Sequence, residues 1–392
     1  MRSYDYLIVG GGMTADAAVG GIREVDPDGS VGLISSEEEP PYDRPPLSKG
    51  LWKGGAEEDI WRTAATEGAE LHLGRRVVTL DPESHTVGDD GGETYGYRRL
   101  LLATGGSPRH LPGAPEGVIH YRTIGDYRRL RQLAEEDRRF VVIGGGFIGS
   151  EVAAALTMAD RDVTVVFPEK ALCARLFPAG LARFVTDHFR ERGVTTRSGE
   201  SVTGVTRAGD AYEVALGSGE SLHADGVVVG IGIVPEMGLA RDAGLEVGDG
   251  IVVDAHLRTS DPDVFAAGDV ASFPHPALRR HMRVEHEDAA NTMGRQAGRN
   301  MAGADEPYEH VPLFYSDLFD LGYEAVGRAD SRLDVIEDWR EKYDQGVVYY
   351  LAEDRVEGVL LWNSWGQDEA ARGLLRDRSK VLPGDLAGRL PE

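Results

Sequence analysis

The stretch YLIVGGGMTADAAV, residues 6–19, decides the fold of this chain. The apolar run Tyr4–Val9 predicts a short buried strand, and three glycines follow it at positions 10–12. A helix of small residues is expected from about Met13, and a second strand over Ser30–Ser35. A strand, a glycine-rich turn and a helix in this order begin a nucleotide-binding βαβ unit.

The same pattern occurs again later in the chain. A strand is predicted over Arg139–Ile143, three glycines stand at 144–146, a helix is predicted over Phe147–Ala159, and a strand over Asp162–Phe167. Two such units in one chain indicate an internal duplication of an α/β nucleotide-binding fold.

The glycines of each turn have separate roles. In the first turn Gly10 allows the tight bend, Gly12 lets a pyrophosphate approach the backbone, and Ala15 still permits close helix packing. The helix that follows presents free N–H groups and the positive end of its dipole to the phosphates. A glycine-rich turn without a ligand is the alternative, and the second copy argues against it. In that copy the three roles fall to Gly144, Gly146 and Gly149.

An acidic residue at the end of the second strand of such a unit binds the ribose hydroxyls. Glu169, in VVFPEK, has this position in the second unit. It favours NAD over NADP because a carboxylate repels a 2′-phosphate, although Lys170 and Arg175 nearby weaken the preference. In the first unit Glu37 is the candidate, and a solvated acidic loop is the alternative there.

Length and charge set further limits. A chain of 392 residues predicts two or three domains, because one core rarely grows beyond about 300 residues. The formal net charge of −24 disfavours nucleic acid and anionic membranes as partners, and a solubility role is favoured over a basic electron carrier. The sequence lacks the run of about 20 apolar residues that a membrane-spanning helix needs. No room is left for a signal peptide before the first strand, so a cytoplasmic location is expected.

The chain is expected to form three domains from four segments. A strand at Arg99–Ala103 is followed by the Gly/Pro-rich link GGSPRHLPGAPEG, and from about Val311 the sequence changes to hairpin-like runs and a final helix. The predicted boundaries are 1–114 and 241–310 for the first dinucleotide-binding domain, 115–240 for the second, and 311–392 for an α+β C-terminal domain.

Several strings carry a family resemblance. PPYDRPPLSKGLW (40–52), LLATGG (101–106), VVIGGGFIGSE (141–151) and VFAAGDVA (264–271) resemble the FAD-dependent pyridine nucleotide–disulfide oxidoreductase superfamily. The resemblance covers nearly the whole chain. It implies two Rossmann-like FAD/NAD(P)-binding domains of the glutathione-reductase type, with an α+β C-terminal domain.

Other strings narrow the resemblance. PPLSK is similar to the ferredoxin-reductase-like branch. RVEHEDAANTMGRQAGRNMAG (283–303), YSDLFDLGYEAVG (315–327) and VEGVLLWN (356–363) resemble apoptosis-inducing factor and its prokaryotic relatives. The chain departs from that family in carrying the ribose acid at Glu37 instead of at Ser36, and Tyr315 in place of a nicotinamide-stacking tryptophan. Its link before GVVYYL is also short, and the animal protein's DNA binding is not expected here.

The resemblance implies a set of cofactor contacts. On the flavin side these are Gly10, Gly11, Gly12, Met13, Thr14, Ser36, Glu37, Arg44, Lys49, Val77, Ala103, Thr104, Gly105, Arg122, Gly268, Asp269, His286 and Glu287. On the nicotinamide side they are Gly144, Gly145, Gly146, Phe147, Ile148, Glu169, Arg175, Gly232, Glu285, His286, Tyr315, Glu324 and Asn363. No metal site is expected.

Four residues are predicted to take part in catalysis: Lys49, Glu151, His286 and Phe147. Hydride transfer requires the nicotinamide ring to lie flat on the flavin, and Phe147 would guard that position while Tyr315 stacks on the other face. Lys49, paired with Glu151, would stabilise negative charge on the flavin ring. Without the resemblance, a surface lysine, a first-turn helix acid and core aromatic or histidine side chains would be favoured for these positions.

The cysteine count restricts the reaction. Disulfide reductases of this superfamily need a pair of cysteines beside the flavin, and Cys173 is the one cysteine of the sequence. Electrons are therefore expected to pass from NADH to FAD and then directly to a quinone, another small molecule, a protein carrier or oxygen. The alternatives are a ferredoxin or rubredoxin reductase of an oxygenase system, and a non-enzymatic NADH-dependent redox-sensing interaction protein. A homodimer is a candidate assembly state.

Overall fold

The structure is a computed structural model that describes residues 1–136 and 139–390. The α-helices are α1 (Met13–Val25), α2 (Ala64–Gly68), α3 (Ile124–Glu136), α4 (Phe147–Met158), α5 (Ala179–Glu191), α6 (Gly238–Asp242), α7 (Glu287–Met301) and α8 (Asp368–Asp377). Short 3-10 helices lie at Pro45–Ser48, Gly50–Lys53, Glu57–Ile60, Gly268–Val270 and Pro383–Asp385.

The strands are numbered along the chain. The first thirteen are β1 (Arg2–Val9), β2 (Val31–Ile34), β3 (Glu70–His72), β4 (Val77–Asp81), β5 (Thr86–Asp89), β6 (Thr94–Leu102), β7 (Gly106–Pro108), β8 (Ile119–His120), β9 (Arg139–Ile143), β10 (Asp162–Phe167), β11 (Thr195–Ser198), β12 (Val202–Ala208) and β13 (Ala211–Leu216). The others are β14 (Ser221–Ala224), β15 (Gly226–Val229), β16 (Ile233–Pro235), β17 (Ile251–Val252), β18 (Val264–Ala266), β19 (Ala271–His275), β20 (Arg280–Met282), β21 (Leu313–Leu318), β22 (Leu321–Gly327), β23 (Asp334–Glu341), β24 (Gln345–Ala352) and β25 (Arg355–Trp362).

The chain divides into two compact units. The first unit comprises Met1–Asp43, Glu57–Ser107 and Val234–Leu313. The second comprises Arg44–Ala56, Pro108–Ile233 and Phe314–Glu392. The predicted four-segment division into three domains stays a prediction.

The first unit is built on a mainly parallel sheet. Its strand order is β3-β2-β1-β6-β5-β4, with β18 paired to β6. The last residues of the central strands lie side by side, since Val9 is in register with Ile34 on one side and with Leu102 on the other. All four residues of β2 are buried, as is usual for parallel strands covered on both faces. The carboxyl ends of β1, β2 and β6 therefore meet at one edge of the sheet. The chain enters α1 from this edge, directly after β1.

The second unit repeats this arrangement in its central part. Its parallel sheet has the order β11-β10-β9-β15-β8. The three-stranded antiparallel sheet β12-β13-β14 follows β11 in the chain. The predicted bounds of β9 and β10 agree with the structure. The predicted α/β fold class is confirmed.

The C-terminal part of the second unit is a five-stranded sheet, in the order β21-β22-β25-β24-β23. Strand β25 is buried from Val356 to Trp362, and Leu375 of α8 packs closely against Gly327 of β22. The predicted hairpin-like runs and final helix are all present, as an α+β segment. Among the helices described, none is both long and apolar enough to cross a membrane.

Candidate functional site

The first glycine turn leads from β1 into α1. Gly10 has φ +129°, a conformation that favours glycine, and a Cβ built on it would lie 2.1 Å from the Ala103 carbonyl oxygen. Gly12 precedes α1, and with no side chain it leaves the N–H groups of the first turn open to a ligand. The turn thus has the two properties that a pyrophosphate site at a helix N-terminus requires.

Further glycines of the first unit bring backbone close to this turn. A Cβ on Gly268 would lie 2.3 Å from Thr14 Oγ1. A Cβ on Gly294 of α7 would lie 2.3 Å from the Thr14 carbonyl oxygen, and one on Gly298 2.0 Å from that of Ala18. The predicted contacts Thr14 and Gly268 are therefore neighbours, and α1 and α7 pack with their backbones touching.

The end of β2 carries the predicted ribose acid. Glu37 is half-buried, and its Oε2 accepts a hydrogen bond of 2.6 Å from the Tyr42 hydroxyl. Ser36 is exposed. Ser35 is buried beside Gly11, and a Cβ built on Gly11 would lie 2.2 Å from the Ser35 hydroxyl oxygen. These positions are compatible with ribose binding by Glu37.

Other predicted flavin-side residues of the first unit lie at the ends of elements. Ala103 follows β6, and the Thr104 hydroxyl donates to the Glu236 carbonyl oxygen over 2.8 Å. The N–H of Glu236 donates to the carbonyl oxygen of Gly105 over 3.0 Å. Val77 begins β4 and is half-buried.

The N-terminus of α7 holds a second group of predicted residues. His286 is the residue before the helix, and its carbonyl oxygen accepts from the Ala290 N–H over 2.9 Å. Glu287 is in the first turn, where a carboxylate is favourable beside the helix dipole. Arg283 donates to the Asp269 carbonyl oxygen over 3.2 Å and pairs with the exposed Glu285.

The second glycine turn has the same shape. Gly144 has φ +116°, and a Cβ on it would lie 2.3 Å from the Gly230 carbonyl oxygen. A Cβ on Gly145 would lie 2.7 Å from the ring of Phe167. A Cβ on Gly146, by contrast, would meet no atom of the described residues within 4 Å, and its φ of −88° suits any residue. The chain's own packing does not require glycine at this position, so the open space at the start of α4 fits a bound pyrophosphate.

The end of β10 carries Glu169 and its loop carries Arg175. Arg175 Nε lies 3.4 Å from Glu169 Oε1, and the arginine side chain is 88% exposed. Gly232, with φ +94°, follows β15. This acid–arginine pair stands where the adenine ribose binds in such a unit.

Glu151, on α4, is the centre of a buried polar cluster. Its side chain is 3% exposed and forms an ion pair with Lys49, with 2.8 Å between Nζ and Oε1. The Ser48 hydroxyl donates to Oε2 over 2.5 Å, and the Ser316 hydroxyl donates to Oε1. Three donors from two distant segments thus compensate one buried carboxylate, which agrees with the predicted Lys49–Glu151 pair.

Aromatic rings surround the lysine and the turn. Lys49 Nζ lies 5.2 Å from the centre of the Tyr315 ring, within cation–π range. Phe147 packs edge-to-face on Phe314 at 5.5 Å between ring centres. Phe147, Ile148 and Tyr315 are each 38% exposed. The rings of Phe147 and Tyr315 offer flat surfaces to a planar group.

Two predicted nicotinamide-side residues lie in the C-terminal sheet. Burial, followed by the nearby Asp368 charge, raises the pKa of Glu324. Asn363 uses its amide internally, because Oδ1 accepts from the Gly322 N–H over 2.9 Å and Nδ2 donates to the Asp344 carbonyl oxygen over 2.7 Å. Asn363 therefore fixes the end of this sheet.

Arg44 and Arg122, both predicted on the flavin side, belong to the second unit. Arg44 Nη1 donates to the Arg122 carbonyl oxygen over 3.0 Å. The Arg122 N–H donates to Asp126 over 3.0 Å at the start of α3. The two predicted residues are therefore direct neighbours.

Cys173 is buried, and its Sγ lies 3.6 Å from Ser150 Oγ. Burial raises the pKa of this thiol to about 12, so a reactive thiolate is strongly disfavoured near neutral pH. Among the described residues, no group of three or more His, Cys, Asp or Glu side chains is arranged to hold a metal ion.

Sequence reasoning missed Ser48 and Ser316. Ser48 lies inside the quoted PPLSK string and Ser316 next to Tyr315, but a single serine carries no spacing signal. The Ser316–Glu151 contact joins residues 165 positions apart, so the fold had to be known first.

Comparison with known proteins assigns most of the chain. Residues 4–294 match the family model described as pyridine nucleotide-disulphide oxidoreductase. Residues 297–340 and 336–377 match the model for apoptosis-inducing factor, mitochondrion-associated, C-term. The resemblance predicted from the motifs is confirmed.

Individual relatives cover the chain almost completely. Apoptosis-inducing factor 1, mitochondrial, of Dictyostelium discoideum is 32% identical, over 97% of this chain and 80% of its own length. The ferredoxin reductase subunit of 5,5′-dehydrodivanillate O-demethylase from Sphingobium is 37% identical, over 99% of this chain and 97% of its own. Among solved structures, the covalent putidaredoxin reductase–putidaredoxin complex matches with a TM-score of 0.88 and 31% identity, covering 98% of this chain and 95% of that one.

Proposed function

Since the chain belongs to the pyridine nucleotide–disulphide oxidoreductase family, we propose that it is an FAD-dependent NADH oxidoreductase whose flavin delivers electrons directly to a non-disulfide acceptor. Its relatives place the chain among NAD(P)H-dependent flavin oxidoreductases of the apoptosis-inducing factor and ferredoxin reductase type. The choice of NADH and the absence of a thiol step rest on this chain's own residues.

The observation that carries the proposal is the second glycine turn. Gly146 stands at the N-terminus of α4 with open space where a side chain would be, and Glu169 lies at the end of the ribose strand. The first turn supplies an equivalent helix N-terminus at Gly12. One chain thus has a place for each of two dinucleotides.

The residues of the second unit have separate tasks. Bound FAD would supply the hydride-accepting chemistry. Lys49 provides a positive charge held by Glu151, Ser48 and Ser316, and this charge stabilises negative charge that develops next to it. Phe147 and Tyr315 provide ring surfaces that orient a planar group and exclude water.

The lone cysteine supports direct transfer to the acceptor. A thiol relay needs two cysteines in contact, and the sequence contains only Cys173. Its burial and raised pKa disfavour a role as a single reactive thiol as well.

A ferredoxin reductase of an oxygenase system is the second candidate. It is favoured by the 37% identity to the Sphingobium reductase subunit and by the 38% identity to the ferredoxin–NAD(+) reductase component of the anthranilate 1,2-dioxygenase system. NADH oxidation measured with a quinone, cytochrome c and a ferredoxin as acceptors separates the two. Rapid turnover with the ferredoxin alone would favour this second candidate over the first.

The variant Gly146→Ala tests the coenzyme site. Alanine fits the backbone conformation and the open space, so the melting temperature should stay within about 1 °C of the wild-type value. The methyl group would occupy the pyrophosphate position, and the KM for NADH should rise about tenfold or more. An unchanged KM would show that no dinucleotide approaches this residue.

A further inference from the structure

Trp365 lies on the loop between β25 and α8, and its side chain is 55% exposed. The other four tryptophans of the chain are buried or half-buried. Leaving an indole in water costs free energy, because most of its surface is apolar. Tryptophan is also enriched in the surfaces through which proteins contact one another. The surroundings of Trp365 therefore need an explanation beyond packing.

The C-terminal sheet fixes the position of Trp365. Asn363, two residues earlier, bonds to Gly322 of β22 twice, since its N–H donates to the Gly322 carbonyl oxygen and its Oδ1 accepts from the Gly322 N–H, each over 2.9 Å. A Cβ on Gly322 would lie 2.6 Å from the Trp365 ring, so glycine lets the indole lie directly against the strand backbone. The ring is thus positioned before any partner binds, which lowers the entropy cost of a contact.

Asp317 of β21 lies beside this indole. The same Cβ position on Gly322 would be 3.5 Å from Asp317 Oδ1, so the carboxylate and the ring meet over one point of the sheet. Asp317 is half-buried, and its side chain makes no hydrogen bond or ion pair with another of the residues that the structure describes. The acids that follow Trp365 at the start of α8, Asp368 and Glu369, both pair with Arg372 instead. The Asp317 carboxylate is thus open to a partner.

Tyr315 connects this place to the proposed reaction site. Side chains of a strand alternate between two faces, and in β21 buried residues alternate with Tyr315 and Asp317. These two side chains are therefore neighbours on one face, about 7 Å apart along the strand. Tyr315 in turn has its ring centre 5.2 Å from Lys49 Nζ. The surface formed by Tyr315, Asp317 and Trp365, called the tryptophan surface below, thus begins at the reaction site.

We propose that the tryptophan surface docks a cationic protein electron carrier, and that a lysine or arginine of the carrier binds between the Trp365 ring and the Asp317 carboxylate. Both the ring face and the carboxylate attract an ammonium or guanidinium group. The net charge of −24 draws such a carrier from a distance and repels an acidic one. The inference rests on the proposed function, which leaves the acceptor open. With a haem carrier, NADH and two ferric proteins give NAD+, one proton and two ferrous proteins.

Native and succinylated cytochrome c are the probes, because succinylation replaces lysine cations by carboxylates and keeps the haem. The value of kcat/KM for each is measured with saturating NADH on the flavin-loaded protein, and uncharged benzoquinone is the small acceptor for comparison. Binding of each oxidised cytochrome without NADH is measured by titration calorimetry.

The variants are Asp317→Lys, Trp365→Leu and Trp365→Phe. Leucine still covers Gly322 but has no aromatic face, whereas phenylalanine restores one. Asp334→Lys is the matched control, because Asp334 is exposed on β23, at the opposite edge of the same sheet. It alters the net charge by the same amount as Asp317→Lys.

The wild type should reduce native cytochrome c about tenfold more efficiently than the succinylated form, and added salt should diminish the difference. Asp317→Lys should lower kcat/KM for the native form about tenfold, and Trp365→Leu about fivefold with partial recovery in Trp365→Phe. Asp334→Lys should stay within about twofold of the wild type. All variants should keep the wild-type kcat/KM for benzoquinone.

Equal efficiency with the two cytochromes, or a wild-type value for the native form in Asp317→Lys or in Trp365→Leu, would overturn the proposal. So would a loss in Asp334→Lys as large as that in Asp317→Lys, because the effect would then be one of net charge. If the wild type oxidises NADH with none of the acceptors, benzoquinone included, the proposed function fails. Calorimetry still tests the tryptophan surface in that case, since native cytochrome c should bind to the wild type and more weakly to Asp317→Lys.

Discussion

Glu151 is a carboxylate with almost no exposure to water, and its charge is compensated by Lys49, Ser48 and Ser316. Desolvating such a charge costs several kcal/mol unless a partner and hydrogen bonds offset it. Removing the charge of Lys49 would therefore leave the Glu151 carboxylate buried without its cation, and the loss of stability would report how much the pair contributes.

Replacing Lys49 by methionine keeps the length of the side chain and removes its charge. The free energy of unfolding should fall by about 3 kcal/mol, since Glu151 remains buried without its cation. Lys380→Met is the control, because the Lys380–Asp354 pair is 62% and 68% exposed and should contribute less than about 1 kcal/mol. Urea unfolding of both variants measures the difference, and equal losses would contradict a buried, compensated carboxylate.

Asp330 lies between β22 and β23, and its carboxylate accepts hydrogen bonds from Arg328 and Arg332. Its pKa in the folded chain is about 2, lowered from 3.8, so its contribution to stability is present above pH 4 and is lost as the pH falls towards 2. Asp330→Asn should lower the free energy of unfolding at pH 7 by about 1 kcal/mol, a value discounted because Arg332 is 80% exposed. The difference from the wild type should shrink between pH 4 and pH 2, measured by urea unfolding at each pH. A difference that is constant over this range would show that the charge of Asp330 does not contribute.

At the scale of elements, helices α1 and α7 pack backbone against backbone in the first unit. Gly298→Ala would place a methyl group about 2.0 Å from the Ala18 carbonyl oxygen, so the helices must separate. The expected loss of stability is about 2 kcal/mol, with weaker FAD retention, because α1 begins at the first glycine turn. Gly373→Ala in α8 is the control, since a Cβ there meets nothing within 4 Å and should stabilise the helix by about 0.5 kcal/mol. Thermal unfolding and flavin release report both effects; similar behaviour of the two variants would contradict the close packing.

The elements differ in how far the sequence predicted them. Strands β9 and β10 were predicted with their observed ends, because each is a mainly apolar run that begins at a charged residue and stops before glycine or proline. Strand β6 was predicted to begin at Arg99 but begins at Thr94, since its first residues pair with β5 in a hairpin, Thr86 being opposite Gly96. Pairing with a neighbouring strand extends a polar segment that its own composition does not mark.

Some parts of the candidate site could be predicted from the sequence, and others could not. Both glycine turns were predicted from local spacing, because the turn and the helix start are determined by neighbours in sequence. The Ser316–Glu151 hydrogen bond and the bond from the Ser331 hydroxyl to the Ala174 carbonyl oxygen each join residues far apart in the chain. A pattern within a short stretch of sequence could not reveal them. Ser36 and Glu37 show an intermediate case, in which the family position is exposed and the next residue bonds to Tyr42.

At the scale of the whole molecule, the chain contains two compact units, and each has one glycine turn at a helix N-terminus. The net charge of −24 repels polyanions as a whole and favours solubility. The proposed function requires that this pair of turns binds two dinucleotides and that no thiol takes part between NADH and the acceptor.

Anaerobic titration of the purified protein with NADH tests both requirements in one experiment. The protein should be yellow as isolated or after reconstitution with FAD, and about one equivalent of NADH should bleach its visible absorbance without any added thiol. A Cys173→Ala variant should bleach to the same extent, because the buried thiol is not used. A protein that cannot be loaded with flavin, or a flavin absorbance that NADH leaves unchanged, would contradict the account.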